Sequence, residues 1–107
     1  GQGVTRDYAE AARLYRLAAE QGLVNSQYNT AINYLNGHGV TEDHAEAARW
    51  FRMAAEQGDP DSQYLLAELY ENGDGVTRDL DEAAKWYRLA AEQGDTDAKA
   101  ALERLGR

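Results

Sequence analysis

The sequence predicts an all-α protein in which antiparallel helix pairs stack into an α-solenoid. Two observations predict this fold: the sequence repeats itself every 36 residues, and each copy carries an amphipathic helical pattern. Gly-Val-Thr triplets begin at residues 3, 39 and 75, and Ala-Ala-Glu-Gln-Gly segments occupy residues 18–22, 54–58 and 90–94. A helix pair of this length cannot bury its apolar faces alone, so successive pairs stack on one another. We therefore predict one solenoid over residues 1–107, with repeats at about 3–38, 39–74 and 75–107.

The first helix of each repeat is indicated by its cap and by its apolar spacing. An aspartate is followed three residues later by a glutamate, which resembles a capping box in which the aspartate accepts from the backbone and the glutamate reaches back to the cap. Apolar residues at positions 11, 14, 15, 18 and 19 form one face of a helix. Glycine then ends the helix, because it adopts the left-handed conformation without a steric penalty. The first helices are predicted to begin at Asp7, Asp43 and Asp79.

The second helix has its clearest start in the middle repeat. Asp59 is a cap there, and Pro60 occupies the first helical position, where its missing N–H costs nothing. In the first repeat Leu23 stands at the cap position, so Asn25 is expected to cap a shorter helix. The second helices are therefore predicted to differ in where they begin.

Large apolar residues recur at two adjacent positions of the first helix. One position holds Tyr15, Phe51 and Tyr87. The preceding position holds Leu14, Trp50 and Trp86. Adjacent residues of a helix point about 100° apart, so we predict that the first set forms core between helices and the second set packs between repeats.

Composition and charge restrict the classes of function. The formal net charge is -8, which opposes long-range attraction to nucleic acid or to anionic lipid. The chain has no cysteine, so disulfides, thiolate metal sites and cysteine nucleophiles are excluded. No apolar run approaches the roughly 20 residues that a membrane-spanning helix needs. No targeting segment is recognised, the compartment stays open, and the Gly1-Gln2-Gly3 opening suggests a fragment of a longer chain.

No catalytic, cofactor-binding or metal site is predicted, and we expect that the protein is not an enzyme. His38 lies in a turn and His44 at a helix start; a zinc site that joins them with Asp43 or Glu42 is the alternative. Paired acids at the helix starts are assigned to caps and to the helix dipole. The Gly-x-Gly turns lack the preceding strand and the further glycine of a phosphate-binding loop.

Two rows of cations on the first helices form the candidate partner-binding site, together with an apolar strip beside them. Residues 36 apart lie side by side in stacked repeats, so each row is continuous across the protein. Arginine binds carboxylates through paired hydrogen bonds, and neighbouring apolar side chains suit the anchoring of a peptide. The candidate residues are Arg13, Arg16, Leu17, Arg49, Arg52, Met53, Lys85, Arg88 and Leu89.

The same cations have an alternative role in ion pairs along their own helix. Glutamate precedes Arg13, Arg49 and Lys85 by three residues, and follows Arg16, Arg52 and Arg88 by four. Such pairs stabilise a helix by only about 0.2 to 0.5 kcal/mol each, and a repeated sequence repeats them automatically. Surface pairing and an acidic-partner groove therefore both stay open.

The repeat pattern resembles that of the Sel1-like repeats, which are relatives of tetratricopeptide repeats. The matching features are the Gly-x-Gly-Val turns, the Glu-Ala-Ala cores, the Trp50-Phe51 and Trp86-Tyr87 pairs and the Ala-Ala-Glu-Gln-Gly closures. The first copy departs from the pattern at Leu14, where the other copies have tryptophan, and at Thr30, where they have leucine. The resemblance implies a tetratricopeptide-like adaptor that binds a protein or peptide along the concave face of its first helices. No cofactor is implied.

Two further expectations concern assembly and origin. No helix pair of this chain precedes the first helix, so Tyr8 and Leu14 are expected to be exposed and to support self-association. The alternative to an adaptor is a purely structural repeat module, either part of a longer array or an engineered consensus-like repeat without its own ligand. Residues 3–22 and 75–94 match at 16 of 20 positions, which fits recent duplication and design equally well.

Overall fold

The computed structural model describes residues 2–107, with side chains from residue 7 onward. Its helices are α1 (Gln2–Glu20), α2 (Val24–Asn36), α3 (His44–Glu56), α4 (Pro60–Asn72), α5 (Leu80–Glu92) and α6 (Thr96–Leu105). Each helix packs against the next one in the chain, and the molecule extends 48 × 23 × 21 Å. This arrangement confirms the predicted all-α solenoid.

The core lies between consecutive helices and is built from alanine and aromatic side chains. Phe51 is 0% exposed and Tyr87 is 1% exposed, as predicted for their position. Their rings contact tyrosines of the preceding second helix: Tyr28 lies 6.0 Å from Phe51, and Tyr64 lies 5.5 Å from Tyr87, between ring centroids. The second helix of one repeat therefore covers the first helix of the next.

The prediction of core packing is wrong for the first repeat. Tyr15 is 42% exposed and Leu14 is 54% exposed, whereas Trp50 and Trp86 are buried at the position that Leu14 occupies. The cause is the missing neighbour, because no second helix among the described residues packs on this face of α1. The expected exposure of Tyr8 and Leu14 is confirmed.

The predicted start of the first helix at Asp7 is also wrong, since α1 begins at Gln2. In the later repeats the glycine of the Gly-Val-Thr triplet has a positive φ and lies against the first helix of the preceding repeat: Gly39 faces the Tyr8 carbonyl, and Gly75 faces the His44 carbonyl. None of the described residues forms such a helix beside residues 2–6, which continue the helical backbone of α1. Gly1, part of the predicted first turn, lies outside the described residues.

The predicted aspartate caps form at Asp43 and Asp79, but not at Asp7, and the reciprocal half of the capping box does not form. The Asp43 carboxylate accepts from the Glu46 N–H at 3.0 Å, and Asp79 accepts from the Glu82 N–H at 3.1 Å. The Asp43 N–H donates instead to the Tyr34 carbonyl at 2.9 Å. Because that donor is already satisfied by the preceding helix, the side chain of Glu46 is available for Arg49.

The second helix begins as predicted in the middle repeat, but not in the first repeat. Asp59 accepts from the Ser62 N–H at 3.0 Å, with Pro60 at the first helical position. The helix α2 begins directly after Leu23, so the expected cap at Asn25 is wrong. Leu23 offers no side-chain cap, and the Gln27 side chain donates to the Ala19 carbonyl near the end of α1 at 3.3 Å.

The last helix is tied to the repeat before it through one carboxylate. Arg104 on α6 donates two hydrogen bonds to Glu71, at 2.6 and 3.1 Å, and the Tyr87 hydroxyl donates a third at 2.7 Å. The Arg104 guanidinium, and then the Tyr87 hydroxyl, hold the pKa of Glu71 below its usual range. Glu71 therefore joins α4, α5 and α6 as an ionised acceptor.

Candidate functional site

One row of cations consists of Arg13, Arg49 and Lys85, and we call it the outer row. These cations are paired within their own helices. Arg49 Nε donates to Glu46 at 2.8 Å, Lys85 Nζ lies 3.8 Å from Glu82, and Arg13 pairs in the same way with the glutamate three residues before it. These pairs are largely exposed, so each contributes only about 0 to 1 kcal/mol. Arg13, Arg49 and Lys85 thus follow the ion-pair interpretation of the sequence.

The inner row, which holds Arg16, Arg52 and Arg88, does not form the expected pairs with the glutamates four residues later. Arg16 and Arg88 are exposed and form no ion pair with any side chain of residues 7–107. The intrahelical-pair alternative therefore fails for this row. Two guanidinium groups remain open to solvent on α1 and α5.

Arg52 lies at the centre of this row and is held by aromatic rings. Its guanidinium donates to the Tyr70 hydroxyl and lies 5.5 Å from the centre of the Tyr70 ring and 6.0 Å from that of Trp86. Arg52 is half-buried, with Tyr70 on α4 and Trp86 on α5. Cation–π contacts of this kind are worth about 0.5 to 2 kcal/mol. Arg52 therefore has a fixed orientation at the junction of two repeats.

A shallow cavity of about 210 Å³ lies beside Arg52, between α3, α4 and the turn before α5. Its lining includes both Arg49 and Arg52, together with Tyr70 and Val76. The cavity combines two guanidinium groups with an aromatic ring and an aliphatic side chain. Such a surface can bind a carboxylate and an adjacent apolar group at the same time.

The predicted apolar strip is exposed at its two ends. Leu17 is 45% exposed and Leu89 is 37% exposed, whereas Met53 is half-buried against the core. The inner row shows the same difference, since Arg52 is half-buried and Arg16 and Arg88 are exposed. The middle repeat is covered by its neighbours on both sides, whereas these side chains of the outer repeats face solvent. The strip therefore offers apolar contact next to the two open arginines.

The two histidines take part in separate contacts. His44 Nδ1 lies 2.6 Å from an Asp74 oxygen, and Nε2 lies 3.1 Å from the Leu35 carbonyl. The hydrogen bond to Asp74 is the largest cause that raises the pKa of His44. His38 instead stacks on Tyr8, with ring centres 5.6 Å apart. In the described part of the chain, no group of three or more His, Cys, Asp or Glu side chains is placed so that it could hold the zinc ion of the alternative interpretation.

A glutamine ladder between repeats was not predicted. Gln57 donates to the Gln27 side chain at 2.7 Å and to the Gly22 carbonyl at 3.1 Å. Gln93 makes the same two contacts one repeat later, with Gln63 at 3.0 Å and Gly58 at 2.7 Å. The recurrence of glutamine at both positions was the available signal. The ladder fixes how far each first helix slides along the previous repeat, and so keeps the cation rows in register.

The comparisons with known proteins agree with this architecture. The family model of the Sel1 repeat matches residues 1–23, 24–59 and 60–95. The chain belongs to the Sel1 repeat family. Members of this family are generally protein-interaction scaffolds with a tetratricopeptide-like fold, and they are not typically enzymes. Within residues 2–107, no helix is both long enough and apolar enough to cross a membrane.

Solved structures of other Sel1 repeat proteins have the same fold. A protective antigen of uropathogenic Escherichia coli with an SLR fold is 46% identical, with a TM-score of 0.83 over 85% of this chain and 20% of the antigen. A Sel1 repeat protein from Oxalobacter formigenes is 37% identical, with a TM-score of 0.85 over 88% of this chain and 39% of that protein. Cysteine rich protein B of Helicobacter pylori is 26% identical, with a TM-score of 0.82 over 87% of this chain and 70% of that protein.

The chain therefore spans about a fifth of the length of the Escherichia coli antigen and well under half of the Oxalobacter protein. A search of curated proteins found no match. The family and the fold are thus shown by the repeat, whereas a binding face and a partner have to be inferred from this chain's own surface.

Proposed function

We propose that this Sel1 repeat chain is a scaffold that binds an acidic protein segment or peptide along the exposed face of α1, α3 and α5. The observation that supports this proposal is the state of the inner cation row. Arg16 and Arg88 are exposed without an ion-pair partner among the described side chains, and Arg52 is oriented between them by Tyr70 and Trp86. A partner carboxylate at either exposed arginine gains an ion pair without breaking one.

The remaining candidate residues have subordinate roles in this proposal. Arg13, Arg49 and Lys85 are each paired with a glutamate, so a partner carboxylate would have to compete for them. Leu17 and Leu89 offer exposed apolar area next to the open arginines. A partner that alternates acidic and aliphatic residues fits this surface better than one that is only acidic.

The direct test uses a fluorescein-labelled peptide of alternating glutamate and leucine, with binding measured by fluorescence anisotropy. Replacing Arg16→Gln together with Arg88→Gln is expected to weaken binding about tenfold, because two exposed ion pairs of up to about 1 kcal/mol each are lost. Arg52 stays unchanged in this variant because its contacts also join two repeats.

A matched control separates the site from net charge. The variant with Lys99→Gln and Arg107→Gln removes the same charge from α6 and the C-terminal residue. We expect that this control binds the peptide within about twofold of the parent. Equal losses in both variants, or no binding by the parent, would contradict the proposed face and favour the purely structural alternative.

A second proposal is self-association through the uncovered face of α1. Tyr8 and Leu14 are each 54% exposed, and Tyr15 is 42% exposed. Exposed apolar side chains this close together are typical of interaction surfaces. The positions of Leu14 and Tyr15 are buried in the next two repeats, as Trp50, Phe51, Trp86 and Tyr87, which supports α1 as the contact surface.

Sedimentation velocity over a range of protein concentrations tests this second proposal. The parent is expected to sediment faster as its concentration rises, and Tyr15→Lys is expected to remain monomeric because a charge at the contact opposes desolvation. Leu89→Lys, an equally large change at an exposed position on α5, is the control and is expected to behave like the parent. A parent that stays monomeric throughout would contradict self-association.

A further inference from the structure

A second surface lies on the edge of the solenoid where the first helices end and the second helices begin. A cavity of about 450 Å³ opens there between α2, α4 and α6. Its walls include Tyr28 and Tyr64, which occupy the same position in consecutive repeats, and the carboxylates of Asp61, Asp95 and Asp97. We call this cavity, with these five residues, the tyrosine groove.

The two tyrosines are fixed from the inside of the protein. Tyr28 meets the buried ring of Phe51 edge-on, and Tyr64 is tilted against the buried ring of Tyr87. Both tyrosines are only half-buried, so part of each ring faces the cavity. Aromatic faces attract cations within about 6 Å of the ring centre. The groove thus has walls that can hold a cation without rearranging.

The carboxylates of the groove are not all used by the fold. Asp95 caps α6 by accepting from the backbone N–H groups of Asp97 and Ala98, at 3.0 and 3.2 Å. The side chains of Asp61 and Asp97 are exposed and form no ion pair within the described part of the chain. Two negative charges are therefore free at the mouth of the groove.

The groove lies in a region without positive side chains. The sequence contains no lysine or arginine in residues 17–48, 53–77 and 89–98, which include every turn from a first helix to a second helix. The N-termini of α4 and α6 carry only about half a positive charge each, and a capping aspartate sits at both. The local charge is negative, opposite to that of the first-helix rows.

The titration of the tyrosines agrees with this local charge. Burial raises the pKa of Tyr28, and the nearby carboxylates of Asp61 and Asp59 raise it further. Burial also raises the pKa of Tyr64, followed by the charge and hydrogen bond of Glu68 and then by the carboxylates of Asp97 and Asp95. Both hydroxyls therefore stay protonated at neutral pH.

We propose that the tyrosine groove binds a lysine or arginine side chain of a basic peptide. The cation lies against the ring of Tyr28 or Tyr64, and the carboxylates of Asp61 and Asp97 neutralise it. This surface is separate from the first-helix face, so the protein has two binding surfaces of opposite charge. The inference does not depend on the acidic-peptide proposal.

The test measures the binding of a fluorescein-labelled arginine-glycine-arginine peptide by anisotropy at low ionic strength. The variant with Asp61→Asn and Asp97→Asn keeps both capping aspartates and is expected to weaken binding about tenfold. Tyr28→Leu keeps an apolar side chain but removes the aromatic face, and is expected to weaken binding about threefold. Circular dichroism checks that each variant has the helix content of the parent.

The control variant is Asp7→Asn with Glu103→Gln, which removes the same charge from exposed positions on α1 and α6. It is expected to bind the arginine peptide within about twofold of the parent. If the parent does not bind the arginine peptide, or if the control loses as much affinity as the groove variant, the proposal that the groove binds a cationic side chain is overturned. The glutamate-leucine peptide, measured in parallel, is expected to bind the variant with Asp61→Asn and Asp97→Asn with unchanged affinity. Loss of binding at one surface is therefore distinguishable from loss at the other.

Discussion

Phe51→Ala is expected to lower the free energy of unfolding by about 4 kcal/mol, in line with the range for buried aromatic residues. Phe51 is fully buried between α2 and α3 and contacts the ring of Tyr28. Truncation removes a large apolar side chain from the middle of the stack and leaves a cavity between two repeats. Urea denaturation followed by circular dichroism measures the loss.

Tyr15→Ala is the matched control, because Tyr15 occupies the same repeat position on α1. With 42% of its surface exposed, its loss is expected to cost only about 1 kcal/mol when the protein is monomeric. Equal losses at the two positions would mean that the α1 face is covered in solution. The comparison therefore tests how much each first helix depends on the second helix before it.

Gly75→Ala is expected to lower the free energy of unfolding by about 3 kcal/mol. Gly75 has a φ of 77°, where a side chain costs about 1 to 2 kcal/mol. A Cβ at this position would also lie 2.4 Å from the His44 carbonyl oxygen and 2.9 Å from the Ala45 nitrogen. Both are backbone atoms of α3, so the turn before α5 would have to move away from the preceding repeat.

Gly58→Ala separates the two causes. Gly58 has a φ of 98°, but no atom of the described residues lies within 4 Å of the Cβ that alanine would add. Only the backbone strain remains, so the expected loss is about 1 to 2 kcal/mol. If denaturation shows the same loss for both glycines, the close approach of the Gly75 turn to α3 does not contribute to stability.

The fold was predictable from the sequence because repetition converts local signals into a global one. Capping aspartates at Asp43, Asp59 and Asp79 and the spacing of apolar residues define helices whose contacts recur in each copy. The errors in predicted burial occur where a neighbouring helix is missing among the described residues. Tyr15 carries the same local signal as Phe51, but its burial depends on a neighbouring second helix, and none of the described residues supplies one on that face of α1.

The details of the candidate site were only partly predictable. Spacing along a helix allowed both ion-pair patterns, and their energies of about 0.2 to 0.5 kcal/mol are too close to decide between them. Tertiary contacts determine which pairs form. Arg52 donates a hydrogen bond to Tyr70, 18 residues later, and Gln57 donates one to Gln27, 30 residues earlier. Such pairs depend on the register between stacked helices, which no local pattern encodes.

We propose that an acidic partner lies along the first helices, and a nuclear magnetic resonance titration with the glutamate-leucine peptide tests this proposal most directly. The backbone amide shifts are expected to concentrate on the exposed faces of α1, α3 and α5, around Arg16, Arg52 and Arg88. Shifts confined to α2, α4 and α6, or the absence of shifts at saturating peptide, would contradict it.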